Sequence, residues 1–353
     1  MVAASVVSTL PVNAANSSLL EPLPSRVGSL TKAPRVGLVL GGGGAVGAAY
    51  HAGALAAIEH DLGWDARDAD VIVGTSAGSL VGALLRLGVP ATDLAALTVG
   101  LPVLSARESL AKWVVERPEF APMTLRHLLH LPRVPRPSML VGLARLAARQ
   151  RMLPVGALAM LVPDGREVLA PHLEFLDGIS DGTWPALPLL VCAVRRRDWR
   201  RIVFGGGEST VSLSAALAAS CAVPGYFAGV TVNGDTYVDG GVISATNADV
   251  LARHDLDLVI VVSPMTGDAQ WPSMSHLVRK LSRRTLDAEL RSLRRHGVPT
   301  VVVEPGPDVT RHMSMDFMSD QASTDIVHSA FFDTGSQIAR SDALRALRAR
   351  EVA

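Results

Sequence analysis

Only two cysteines, Cys192 and Cys221, occur in 353 residues. That is too few for the disulfide framework of a secreted fold and is compatible with a reducing compartment. Cys221, in the small-residue run Ala218-Ala219-Ser220-Cys221-Ala222, reads as a buried packing thiol. Phe, Trp and Tyr make up 4% of the chain against 48% hydrophobic residues, so any core must be built from Ala, Val and Leu. Lysine and arginine number 33, aspartate and glutamate 33. A net charge of zero gives no global attraction to nucleic acid or to anionic membranes. No apolar run approaches the roughly 18 residues that span a bilayer. The best candidate, Leu153 to Val162, is short and proline-bounded. Residues 1–34 lack the positive and continuous apolar regions of a secretory signal and read as a disordered tail. No His, Cys or Asp cluster has ligand spacing, so no metal is expected.

What the chain does have is two glycine-rich turns, each following a short apolar run and preceding a small-residue helical stretch. In the second, Val71-Ile72-Val73 reads as a buried strand, Gly74-Thr75-Ser76-Ala77-Gly78 as a turn, and Ser79 to Leu85 as a helix. In a GxSxG turn the glycines, here Gly74 and Gly78, permit a sharp strand-to-helix reversal that lifts the serine hydroxyl clear of the backbone. The helix behind Ser76 aims its positive end at any oxyanion formed there, which favours acyl-transfer chemistry.

The first turn, Gly42-Gly43-Gly44-Ala45-Val46-Gly47 after Val36 to Leu40, also fits a GxGxxG dinucleotide fingerprint. That fingerprint needs an acid at the end of the next strand. Here the strand ends in Gly74, and Asp65, Asp68 and Asp70 all precede it. A Walker loop fails because no Gly-Lys-Ser/Thr follows. No cofactor is therefore expected, and the turn reads as backbone amides at a helix N-terminus suited to an anion.

A nucleophilic serine needs a base, and ten histidines leave a triad open by composition. In common α/β-hydrolases several strands precede the nucleophile, whereas Ser76 sits on only the second. Downstream, Thr236-Tyr237-Val238-Asp239-Gly240-Gly241 follows a strand signal at 229–232. On its own Asp239-Gly240 reads as an ordinary hairpin turn.

The order GGGxxG, GxSxG, DGG resembles the patatin-like phospholipase family. Ala219 to Phe227 is similar to the family's segment before its DG motif, and Asp257 to Val262 to the strand after it. The resemblance runs from about Arg35 to about Val303 and is poorest between roughly 100 and 188. It implies Ser76 as nucleophile, Asp239 as base, the DG motif at Gly240 and Gly241, and an oxyanion hole at Gly42, Gly43, Gly44 and Ala45. Members commonly carry Arg or Lys in the fifth place of GGGxRG, where this chain has Val46. The implied activity is hydrolysis of lipid esters of the phospholipase A or lysophospholipase type. The alternative is a catalytically silent lipid- or membrane-binding relative.

Strand signals at 36–40, 71–73, 189–194, 201–204, 229–232, 257–262 and 300–303 alternate with helical stretches. They predict a three-layer α/β/α domain over 35–345 with a mainly parallel sheet and a helical insert over about 100–188. Between Phe120 and Pro163 lie Arg126, Arg133, Arg136, Arg145, Arg149 and Arg151 and no acidic residue. Met139, Leu140, Leu143, Leu146 and Ala147 recur at helical spacing opposite Arg145 and Arg149. The insert thus reads either as a lid making transient contact with an anionic lipid surface or as a core helix with a solvated basic face. These features place the protein in the cytoplasm, peripheral at the membrane. A second basic stretch, Arg279 to Arg295, reads as a core helix with a solvated face and gives no nucleic-acid motif. Asp342 to Arg350 reads as an exposed helix.

Overall fold

Val36–Leu40 (β1) is buried at every position, as expected of a strand covered on both faces. The computed structural model describes residues 34–101, 103, 162, 164–205, 210–267, 274–313 and 316–348. The tail at 1–33 and most of the insert, including the basic helix around Arg145 and Arg149, lie outside these residues.

From β1 the chain passes into α1 (Gly44–Leu62), returns through β2 (Val71–Thr75) and turns into α2 (Ala77–Arg86) and α3 (Ala91–Thr98). The described end of the insert, 164–188, contains one five-residue helix, α4 (Phe175–Ile179), and a single turn at Ala170–His172. It is mostly irregular rather than helical, and Gly165 N–H anchors it to Phe227 O at 3.0 Å. Then follow β3 (Leu189–Arg195), β4 (Arg200–Phe204), α5 (Leu213–Ser220), β5 (Val230–Val232) and β6 (Asp235–Asp239). The chain continues through β7 (Leu258–Val262), α6 (Met274–Arg295), β8 (Thr300–Val303), α7 (Pro307–Thr310), α8 (Ser323–Arg340) and α9 (Asp342–Arg348).

These strands form one mixed sheet in the order β5-β6-β3-β2-β1-β7-β8, with β4 also paired to β3. The central strands β3, β2, β1, β7 and β8 are parallel. Alternate side chains feed two cores. Leu38, Leu40, Ile72, Val191 and Ile260 pack with α1, α2, α5 and α8. Val39, Val73, Leu190, Val259 and Val261 pack with the 248–253 turn and with Leu286 and Leu293 of α6. The predicted three layers are therefore present, and Arg279 to Arg295 is the core helix expected. The C-terminal helix is less exposed than predicted, since Leu344 and Leu347 enter the first core.

β6 is a strand where the sequence pattern suggests only a turn. The hairpin turn between β5 and β6 is Asn233-Gly234, with φ of 49° and 79°, not Asp239-Gly240. Asn-Gly is the favoured pair for a two-residue turn because both residues tolerate positive φ. Asp239 is instead the last residue of a strand.

The registers around β3 bring Ser76 and Asp239 together. Cys192 pairs with Thr75 on β2 and Ala193 with Asp239 on β6. Because β4 pairs with 191–195, β2 and β6 must share the other edge of β3. One runs parallel to β3 and one antiparallel, so their C-terminal ends meet head to head, separated by one register position.

Candidate active site

Ser76 lies between β2 and α2 with φ 52° and ψ −125°. These angles match the first central position of a type II′ turn, a conformation that strains any residue with a Cβ by on the order of 1–3 kcal/mol. Surrounding bonds hold it there. Its N–H donates to Ser220 Oγ at 2.9 Å, and Ser220 Oγ donates to Cys192 O on β3 at 2.7 Å. Its carbonyl accepts from Ser79 Oγ at 2.6 Å and from Ser79 N at 2.8 Å. A Cβ at Gly74 would overlap Ser79 Cα, and one at Gly78 would overlap Leu40 O. The elbow thus needs glycine on both sides of Ser76, and its helix is pressed onto the end of β1.

The Ser76 side chain lies close enough to the Asp239 carboxylate to favour its charged form. Asp239 is 5% exposed, and its Oδ1 accepts from Gly241 N at 2.7 Å. Burial raises its pKa from 3.8 to about 6, outweighing the Ser76 side chain and the Gly241 amide, which favour the charged form. Gly240 fits because a side chain there would strike Cys192 O. Cys221, buried as predicted, places its sulfur 4.0 Å from Ser79 Oγ, and burial pushes its thiol pKa far up.

The first glycine turn abuts the elbow: a Cβ on Gly42 would stand 3.3 Å from Ser76 Cβ. Of the four amides predicted to face an oxyanion, that of Gly42 is occupied, donating to Ala245 O at 2.8 Å. The amides of Gly43, Gly44 and Ala45, at the start of α1, have no acceptor among the described residues. The same holds for Ala77 N–H at the start of α2, a donor the sequence reading did not single out. Val46 is buried in the first core, and its N–H donates to Phe317 O at 3.3 Å. An apolar side chain suits that position.

His51 lies two turns into α1 and is fully buried. Its Nε2–H donates to Gly41 O at 2.6 Å, and desolvation lowers its pKa to about 4. It braces the glycine turn as a neutral imidazole and makes no bond to Ser76. Among the described residues no cluster of His, Cys, Asp or Glu could hold a metal ion.

The profile of the patatin-like phospholipase family matches residues 38–252, a span that contains both glycine turns and the DGG segment. The chain belongs to that family, whose members are lipid hydrolases. Among solved structures it is similar to VipD from Legionella pneumophila, at 14% identity and a TM-score of 0.41, over 87% of this chain and 67% of that one. It is also similar to the type III effector protein ExoU, at 18% identity and a TM-score of 0.35, over 89% of this chain. The match spans 53% of the ExoU chain, about half its length. A search of curated proteins gives no match. No helix among the described residues is long and apolar enough to cross a membrane.

Proposed function

We propose that the protein is a serine acyl hydrolase acting on lipid esters of the phospholipase A or lysophospholipase type, through a Ser76–Asp239 dyad. The placement of Ser76, on a glycine-flanked elbow, beside a buried carboxylate of raised pKa carries this reading. As Ser76 Oγ attacks the ester carbonyl, its proton passes to Asp239. The tetrahedral oxyanion takes hydrogen bonds from amides of Gly43, Gly44 and Ala45, with Ala77 as a further donor. Collapse expels the alcohol, which takes the proton from Asp239 and leaves an acyl-serine. Water, deprotonated by Asp239, then attacks the acyl carbonyl and releases the fatty acid, returning the proton to Ser76. Because two helix N-termini converge on the site, these donors act without reorganising.

A base of pKa about 6 sets the pH profile. Above that value Asp239 is charged and can accept the proton; below it the carboxyl already holds one. On a soluble p-nitrophenyl ester, kcat/KM is therefore expected to be flat near pH 8 and to fall about tenfold per pH unit below 6. A limb at pH 7 or above that persists in Asp239→Asn would point to a different base.

Covalent labelling by a fluorophosphonate separates this reading from a silent lipid-binding relative. An activated Ser76 is expected to label rapidly and Ser76→Ala not at all. Wild-type protein that binds lipid vesicles yet takes up no label and hydrolyses no ester would establish the silent relative. The basic insert is proposed to contact the anionic lipid surface transiently. Neutralising Arg145, Arg149 and Arg151 should weaken binding to vesicles containing phosphatidylserine, whereas unchanged binding would make the insert's basic face merely solvated.

A further inference from the structure

The five-residue segment 244–248, between the DGG turn and β7, touches both halves of the site. Ala245 O accepts from the Gly42 amide at 2.8 Å, which fixes the start of the glycine turn. Two residues on, Asn247 Nδ2 donates to Thr75 Oγ1 at 3.0 Å and to Ser244 O at 2.7 Å. Thr75 is the residue immediately before Ser76, and its methyl lies against Gly240 of the DGG turn. Asn247 is fully buried with φ 54° and ψ 32°, left-handed angles that asparagine tolerates better than most residues. Its Oδ1 accepts from Arg201 at 3.1 Å, and Arg201 is itself held by both oxygens of Asp249.

The segment is anchored from behind. Glu289 of α6 is buried and accepts from Thr246 Oγ1 at 2.5 Å and from Ala248 N at 3.0 Å. Ser244 Oγ accepts the amides of Thr246 at 3.2 Å and Asn247 at 3.1 Å. A buried carboxylate on a core helix thus grips a short loop whose front grips the nucleophile's strand end and the oxyanion turn. A network this fully bonded has little room to shift.

We infer that 244–248 is a clamp that sets the geometry of the site, with Asn247 a positioning residue that acts on Ser76 through Thr75. The inference rests on the hydrolase reading above and names residues that never touch substrate. The dyad must meet the oxyanion amides within a fraction of an ångström, and small misplacements cost on the order of 10²-fold in rate. Removing the Asn247–Thr75 bond should therefore lower kcat and leave KM for a small ester nearly unchanged.

The test compares Thr75→Val, Thr75→Ser, Asn247→Gly and the Thr75→Val/Asn247→Gly double variant in the full chain, with p-nitrophenyl butyrate as substrate. Valine keeps the strand-forming shape without the hydroxyl, serine keeps the hydroxyl, and glycine accepts the left-handed angles without the amide. Thr75→Val and Asn247→Gly are each expected to lose on the order of 10- to 100-fold in kcat with KM within twofold. Thr75→Ser should recover most of the rate, and the double variant should fall no further than the worse single. Wild-type kcat in Thr75→Val, or multiplicative losses in the double variant, would overturn the inference. If the wild type turned over without dependence on Ser76, the hydrolase reading itself would fail. A crystal structure of Asn247→Gly decides the clamp independently of turnover. Ser76 displaced from its strained angles supports it; Ser76 unmoved and still beside Asp239 refutes it.

Discussion

Ser76→Ala and Asp239→Asn are each expected to lower ester turnover by on the order of 10⁴-fold or more, with the fold intact. Alanine keeps the Cβ and every backbone bond of the elbow, so only the nucleophilic oxygen is lost. Asparagine is isosteric and can still accept from Gly241 N through its carbonyl oxygen. Its NH₂ would then face Ser76 as a donor, and the hydroxyl would lose its proton acceptor. The two variants should differ in stability. Asp239 has a folded-state pKa of about 6 against an ordinary 3.8, so the native state disfavours its ionised form. This penalty is absent below about pH 4, grows as pH rises toward 6, and is complete above it, reaching at most about 3 kcal/mol. Asp239→Asn removes the ionisable group. Its denaturant midpoint should therefore exceed that of the wild type at pH 8 and converge with it at pH 4. A gain of stability with loss of turnover is expected where a buried charge is kept for chemistry. Equal midpoints at both pH values would mean that Asp239 carries no such penalty, and turnover near the wild-type rate would remove it as the base.

The elbow that carries Ser76 was legible because its signal is local. An apolar run, two glycines flanking a serine and a small-residue helix all sit within fifteen residues, and each has a physical reason. The three layers were legible for the same reason, since strands buried on both faces read as continuous apolar runs. Asp239 was harder. Its neighbourhood offered a hairpin turn as the ordinary reading, and only the order of motifs and their family resemblance singled it out. The strand that carries it was missed because Asp235-Thr236-Tyr237-Val238 shows no clean alternation, although Asn233-Gly234 was an available turn signal. What no local pattern carries is the partner across the fold. Ser76 N–H is held by a serine 144 positions away, and Thr75 by an asparagine 172 positions away. The Gly42 amide, predicted to face an oxyanion, is taken by Ala245, a backbone pairing independent of side-chain identity. Such bonds depend on register and strand direction, here on the head-to-head meeting of β2 and β6, and become visible only when the sheet is assembled.

Gly78→Ala should have the largest effect among substitutions that leave every polar group of the dyad in place. Gly78 is in the first turn of α2, where a Cβ would overlap the Leu40 carbonyl carbon and oxygen and crowd that of Gly41. These atoms are backbone, so no rotamer change relieves the clash. Either α2 moves off the sheet or the end of β1 shifts, and in both cases the spacing between Ser76 and the Gly43–Ala45 amides opens. Overpacking against an unyielding backbone costs roughly 3 kcal/mol or more, which in a chain of this size lowers Tm by about 5 °C or more. Turnover is expected to fall at least about 100-fold even at temperatures where the protein stays folded, because the oxyanion donors no longer align. Gly178→Ala is the matched control, since a Cβ there meets nothing within 4 Å and the position lies in the short helix α4. Alanine favours helix over glycine, so that variant should keep wild-type turnover and gain a few tenths of a kcal/mol. If Gly78→Ala labelled with fluorophosphonate at the wild-type rate, the close approach of α2 to β1 would not be what sets the nucleophile. The elbow would then owe its geometry to the Ser220, Ser79 and Asn247 bonds.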